Sequence, residues 1–225
     1  MRNGRVREPR DTGRRHTILQ DLVDPTSHCS RSGQMCAICR AYDRADKPGQ
    51  LAIAGRNLGP SILFDWYLDG ELRPEELAEL ILRVWSSAEF PALTLGTEMW
   101  TILFEAAGFV TDGPSLPDGP IRMYRGASPK TARGMSWTVD PDRAAWFANR
   151  LRNLGYDGRV WTALAPAAAI LGFVGFRDHD RGEEEVILNV DAYWEDLDVH
   201  EVDDRSDAPS AAGGPSDATF LGASS

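Results

Sequence analysis

The stretch IRMYRG (121–126) alternates apolar and polar residues and stops at a glycine, the pattern of a strand with one buried face. Three more runs of this kind follow it: MSWTVD (135–140), RVWTALAPAAAIL (159–171) and EEVILNV (184–190). Between them DPDRAAWFANRLRN (140–153) reads as an amphipathic helix, with Asp140 as its cap and Pro141 in the first turn. Short strands broken by only one long helix predict a compact α+β sheet sandwich and not a doubly wound parallel sheet.

Working back from that stretch, TDGPSLPDGP (111–120) is dense in turn residues and marks a boundary. Before it the periodicity is helical. In RPEELAELILRVWSSAEF (73–90), Pro74 suits a first turn, Glu75 and Glu76 favour the helix N-terminus, and Leu77, Leu80, Ile81, Val84 and Trp85 recur on one face. A second helix is expected from Thr97, with Trp100, Leu103, Phe104 and Ala107 as its stripe and Gly108 as its stop. The division expected along the chain is an Arg-rich disordered tail (1–20), a Cys-containing irregular segment (21–60), a helical part (61–115), a β-rich core (116–200) and a Ser/Ala/Gly/Pro-rich tail (201–225).

Composition limits the function. The 225 residues carry a net charge of −10, which argues against nucleic acid or an anionic membrane surface as the partner. No apolar run reaches the ~20 residues of a membrane span, and no hydrophobic signal core follows the first arginines, so a cytoplasmic location is expected. The three cysteines, Cys29, Cys36 and Cys39, do not make a disulfide framework. Cys36 and Cys39 have the spacer with which a tight turn offers two thiolates to zinc, and Cys29 with His28 or His16 could complete a tetrahedron. The pattern is incomplete, and reduced cysteines in an irregular segment are the simpler reading.

The run GEEEVIL (182–188) sets three carboxylates before an apolar strand. Along an extended strand Glu183 and Glu185 would share one face and Glu184 would turn to solvent. Two carboxylates so placed can divide work, one stabilising a developing cation and the other taking a proton, and their repulsion would raise the pKa of one. A solvated strand terminus is the alternative.

Taken in order, YRG (124–126), SWT (136–138), AAWFANR (144–150) and EEEV (183–186) resemble the Arg-Ser-Glu type of mono-ADP-ribosyltransferase, the family of cholera-like and clostridial binary toxins and vertebrate arginine-specific transferases. The resemblance covers about residues 121 to 190. It implies NAD as substrate, with Arg125 gripping the NAD phosphates and ribose and the Gly126 main chain bonding the nicotinamide amide. It implies Ser136 as the residue that holds the catalytic glutamate; Trp137 departs from the family's Ser-Thr-Ser pattern and should face the core. Phe147 would stack on nicotinamide and Arg150 would add a phosphate contact. Glu185 would be the catalytic glutamate and Glu183 would orient or deprotonate the acceptor, which favours a protein arginine. The loop 172–182 would recognise the acceptor, with Phe176 as its aromatic contact and His179 as a solvated side chain. No metal is required by this chemistry. The expectation is thus a cytoplasmic, effector-like transferase of bacterial or phage setting; an NAD glycohydrolase, or a catalytically silent module with a zinc-binding Cys segment, are the alternatives.

Overall fold

The computed structural model describes residues 37–88, 90–150, 152–175 and 184–202, and over them the chain is a mixed α/β fold in which helices precede and cover a seven-stranded sheet. The helical part consists of α1 (Ala37–Arg44), α2 (Lys47–Leu68), α3 (Pro74–Ser87), the single turn α4 (Pro91–Thr94) and α5 (Thr97–Ala107). The segment 21–60, expected to be irregular, is therefore helical from Ala37 onward. Its periodicity is hard to read because Gly55, at φ 69° and ψ −175°, breaks α2 into two out-of-phase pieces. The start of α2 is nonetheless well specified: the Asp46 carboxylate accepts from the Gly49 N–H at 2.9 Å, with Pro48 in the first turn.

Helices α3 and α5 follow the sequence expectation closely. Leu77, Leu80, Ile81, Val84 and Trp85 are all buried along α3. In α5 the buried residues are Trp100, Leu103 and Phe104, and Gly108 ends the helix at φ 75°, a conformation that a side chain would disfavour. The rings of Trp85, Trp100 and Phe104 lock the two helices together, with Trp85 edge-on to Trp100 at 5.0 Å and to Phe104 at 5.4 Å. These side chains belong to the same apolar core as Met123, Trp137, Ile187 and Leu188 of the sheet, so the helices and strands fold as one body.

The strands are β1 (Val110–Thr111), β2 (Ile121–Ala127), β3 (Ser136–Thr138), β4 (Arg159–Ala165), β5 (Ile170–Val174), β6 (Glu185–Leu188) and β7 (His200–Glu201), in the spatial order β1-β5-β6-β3-β2-β4-β7. The run 159–171 holds two strands and not one, because Pro166 and a 3₁₀ turn at Ala167–Ala169 reverse the chain within it. Where a two-layer β-sandwich was expected, the described strands hydrogen-bond into a single sheet. Its weakest point is the seam between β2 and β3, which are held in register by one pair, Tyr124 with Thr138, whereas β2 and β4 pair along all seven residues from Ile121 to Ala127. Helix α6 (Pro141–Asn149) lies over this seam against β2, β3 and β4. As expected, Asp140 caps it, accepting from the Asp142 N–H at 2.8 Å. The short helix α7 (Val190–Tyr193) follows β6 and is capped by Asn189, whose carboxamide also donates to Glu105 of α5 at 2.9 Å. No helix among the described residues is long and apolar enough to cross a membrane. The expected N-terminal tail, and the C-terminal one from residue 203 on, lie outside the described residues; Glu201, expected in the C-terminal tail, instead pairs with β4 as part of β7.

Candidate functional site

The open seam between β2 and β3 is where the motif residues gather. Strands β3 and β6 are antiparallel, with Thr138 opposite Glu185, Trp137 opposite Val186 and Ser136 opposite Ile187. Opposite residues share a face and alternate residues repeat it, so Ser136, Thr138 and Glu185 point the same way. Trp137 turns to the other face, as expected: it is buried, and its Nε1–H donates to the Gly134 carbonyl at 2.7 Å. The residue directly facing Glu185 is Thr138, while Ser136 stands one pleat away on the diagonal. The residue opposite the glutamate is thus a threonine, where the resemblance implied Ser136 as its partner.

Glu185 is only 8% exposed and has strands on both sides, β3 through Thr138 and β5 through Val174. A carboxylate this deep needs compensation. The Arg125 guanidinium supplies some of it. Burial lowers the pKa of Arg125 to about 10, and the attraction of Glu185 works against that fall. Arg125 remains a cation at neutral pH.

The guanidinium of Arg125 is held by main-chain carbonyls. Its Nε–H and Nη2–H donate to the Thr131 carbonyl at 3.3 and 3.2 Å, and its Nη1–H donates to the carbonyl of Ser136. It does not line the cavity described below. The reason is visible at the next residue. A Cβ on Gly126 would lie 2.1 Å from the Ala144 carbonyl oxygen, 2.4 Å from the Ala148 nitrogen and 2.7 Å from the Phe147 Cβ. Gly126 therefore faces α6 at close approach, and alternation turns Arg125 to the opposite side. Here the arginine fastens β2 to β3 and neutralises Glu185 from behind, where a grip on the NAD phosphates was expected.

A cavity of about 390 Å³ opens over Glu185. Its lining includes Ser136 and Glu185 from the sheet, Arg143, Trp146, Phe147 and Arg150 from or just beyond α6, and Trp85, Ser86, Ala88 and Pro91 from the end of α3 and the start of α4. The four α6 residues recur at i, i+3, i+4 and i+7, which places them along one helix face. Phe147 and Arg150 were expected; Arg143 and Trp146 were missed although the same spacing marks them. Trp146 is 55% exposed, and its ring meets Phe147 edge-on at 5.0 Å. The Arg150 guanidinium lies over both rings, 5.6 Å from that of Trp146 and 5.3 Å from that of Phe147. The wall from α3 and α4 was also missed, because its residues read as ordinary core and cap positions in the sequence.

The cavity thus brings two arginines and two aromatic rings of the α6 region together with uncharged residues of α3 and α4 and with the Glu185 carboxylate. Such a lining suits a ligand that carries both an anionic group and an aromatic ring.

The remaining candidates fall elsewhere. Glu184 is exposed with φ 44°, so the chain is not extended there and β6 begins at Glu185; simple alternation does not relate Glu183 to Glu185. Glu183, Phe176 and His179 lie outside the described residues, as do Cys29 and Cys36. Cys39 is buried within α1. Among the described residues no group of three or more His, Cys, Asp or Glu side chains could hold a metal ion. No protein-family model, no curated protein and no solved structure matches the chain.

Proposed function

We propose that this chain is a mono-ADP-ribosyltransferase that breaks the nicotinamide–ribose bond of NAD and passes ADP-ribose to an arginine side chain of a protein. The observation that carries this reading is the meeting of Ser136, Phe147, Arg150 and Glu185, from three separate elements, on one cavity. All four are residues to which the motif resemblance assigns roles in the site.

In this reading Arg150, with Arg143 beside it on the same helix face, neutralises the NAD diphosphate, and Phe147 and Trp146 supply aromatic surface for a ring. Glu185 holds the ribose and stabilises the cation that develops at its anomeric carbon as nicotinamide leaves with the bonding electron pair. The new bond forms from that carbon to a guanidino nitrogen of the acceptor, and Glu183 takes the proton this nitrogen gives up. Arg125 acts as a support that fixes Ser136 and sets a buried cation near Glu185. A cytoplasmic setting agrees with the use of NAD as substrate.

The test is nicotinamide release from NAD by the purified full chain, beside a Glu185→Gln variant whose fold is checked by circular dichroism. Release by the wild type that falls on the order of 10²- to 10³-fold in the variant supports the reading, this being the scale of losing one directed electrostatic contact to a transition state. NAD that stays intact with the wild type, under conditions where it binds, contradicts it. Release without any acceptor modified would narrow the activity to a glycohydrolase.

A further inference from the structure

Three aromatic residues line the cavity, and they differ in access. Trp85 is 2% exposed, Phe147 is half-buried and Trp146 is 55% exposed. A ring that lines a cavity while more than half open to solvent stands at its mouth. Folding leaves there a flat apolar face that a ligand can cover. The motif resemblance gives roles to Phe147 and Arg150 and none to Trp146.

We propose that the Trp146 ring is the stacking platform for the adenine of NAD, the half of the substrate that takes no part in the bond broken. The inference rests on the proposed function, and adds how the far end of the substrate is held. NAD is two base-bearing halves joined by a diphosphate, and the α6 residues match that order. The Arg150 guanidinium lies over both rings, 5.6 Å from the centre of Trp146 and 5.3 Å from that of Phe147, so one cation serves a diphosphate whose two bases go to different rings. The rings meet at 81° and present their faces in different directions, so the two bases do not compete for one surface. Phe147 keeps the nicotinamide, as the resemblance implies. The other occupant an indole face could take is the acceptor guanidinium, through a cation–π contact. Charge argues against it: Arg150 already stands over this ring and Arg143 lies one turn earlier on the same helix face, so another cation would be repelled, whereas adenine is neutral and brings phosphate with it. Preference for the dinucleotide over nicotinamide mononucleotide follows, since the mononucleotide keeps the scissile bond and one phosphate but has no purine for Trp146.

Fluorine magnetic resonance of the full chain carrying fluorotryptophan at its seven tryptophans tests this. The Trp146 resonance is assigned by its loss in Trp146→Phe. The probes are ADP and nicotinamide mononucleotide. ADP should shift the Trp146 resonance saturably. Trp146→Ala, with its fold checked by circular dichroism, should weaken ADP and raise the KM for NAD about tenfold to a hundredfold, the scale of losing one stacked base, while its affinity for the mononucleotide stays within about twofold. If ADP binds with the Trp146 resonance unmoved, or if Trp146→Ala weakens the mononucleotide as much as ADP, the inference is overturned and the proposed function stands. If neither probe binds, both are overturned. ADP that moves Trp146 beside NAD that stays intact supports the adenine platform and overturns the transferase reading.

Discussion

Replacing Gly126 with alanine tests how β2 and α6 make the site. The added Cβ would sit 2.1 Å from the Ala144 carbonyl oxygen, about 1.3 Å inside the 3.4 Å at which ordinary contact begins, and 2.4 Å from the Ala148 nitrogen. Both obstacles are main-chain atoms of one helix, so no rotamer change relieves them and α6 must lift as a unit. Overpacking of this kind costs about 1–3 kcal/mol, and backbone obstacles place Gly126→Ala near 3 kcal/mol. For a chain of 225 residues that corresponds to a fall in Tm of about 6–12 °C. Because α6 also carries Phe147, a displacement near 1 Å should cut NAD turnover on the order of 10²-fold even where the protein remains folded. Thermal unfolding followed by circular dichroism gives the first quantity and nicotinamide release the second. A variant that melts within 2 °C of the wild type and turns over NAD normally would refute the close contact of Gly126 with α6, and with it the reason given for Arg125 facing away from the cavity.

Arg125→Met should destabilise the protein by about 3 kcal/mol, because it leaves Glu185 buried without its cation; adding Glu185→Gln should recover at least 1 kcal/mol of this, measured by urea denaturation of all four species. Additive effects within 0.5 kcal/mol would show that the two charges do not interact. Asp140→Ala should lower stability by about 1 kcal/mol through loss of the α6 cap, and Asp140→Asn should restore most of it. Glu183→Gln should abolish transfer to arginine-rich protein while leaving NAD hydrolysis measurable, and equal loss of both would mean that the two carboxylates do not divide the work. Arg150→Ala should raise the KM for NAD at least tenfold with little change in kcat, since a contact made equally in ground and transition states affects binding alone.

The parts of this structure that could be read from the sequence are those in which local pattern and tertiary packing agree. Helices α3 and α5 carry uninterrupted apolar stripes, α5 ends at Gly108 as the sequence indicates, and both fold as expected. Helix α2 does not, because Gly55 shifts its phase and the periodic signal cancels across the break. The strand residues Arg125, Ser136 and Glu185 were found by their order along the chain, yet order does not state which way a side chain turns. The direction of Arg125 follows from Gly126 lying against Ala144, Phe147 and Ala148 of α6, a contact between separate segments that no local pattern announces. Thr138 was passed over for Ser136 because register between strands, and not spacing within one, decides which residue faces Glu185. Arg143 and Trp146 were legible in the i, i+3, i+4, i+7 spacing they share with Phe147 and Arg150. Trp85 was not, since its periodicity is that of a core residue and only the folded structure puts it in the cavity lining.

In the proposed function Glu185, which lines a cavity with Ser136, Phe147 and Arg150, drives transfer of ADP-ribose from NAD. The most direct measurement incubates the purified chain with adenylate-labelled NAD and a bacterial lysate, beside Glu185→Gln, and follows label in protein, nucleic acid and free ADP-ribose. Label is expected on protein, released by the hydroxylamine treatment that cleaves arginine linkages and absent with the variant. Label in none of the three fractions, with no nicotinamide released by the wild type, would contradict it.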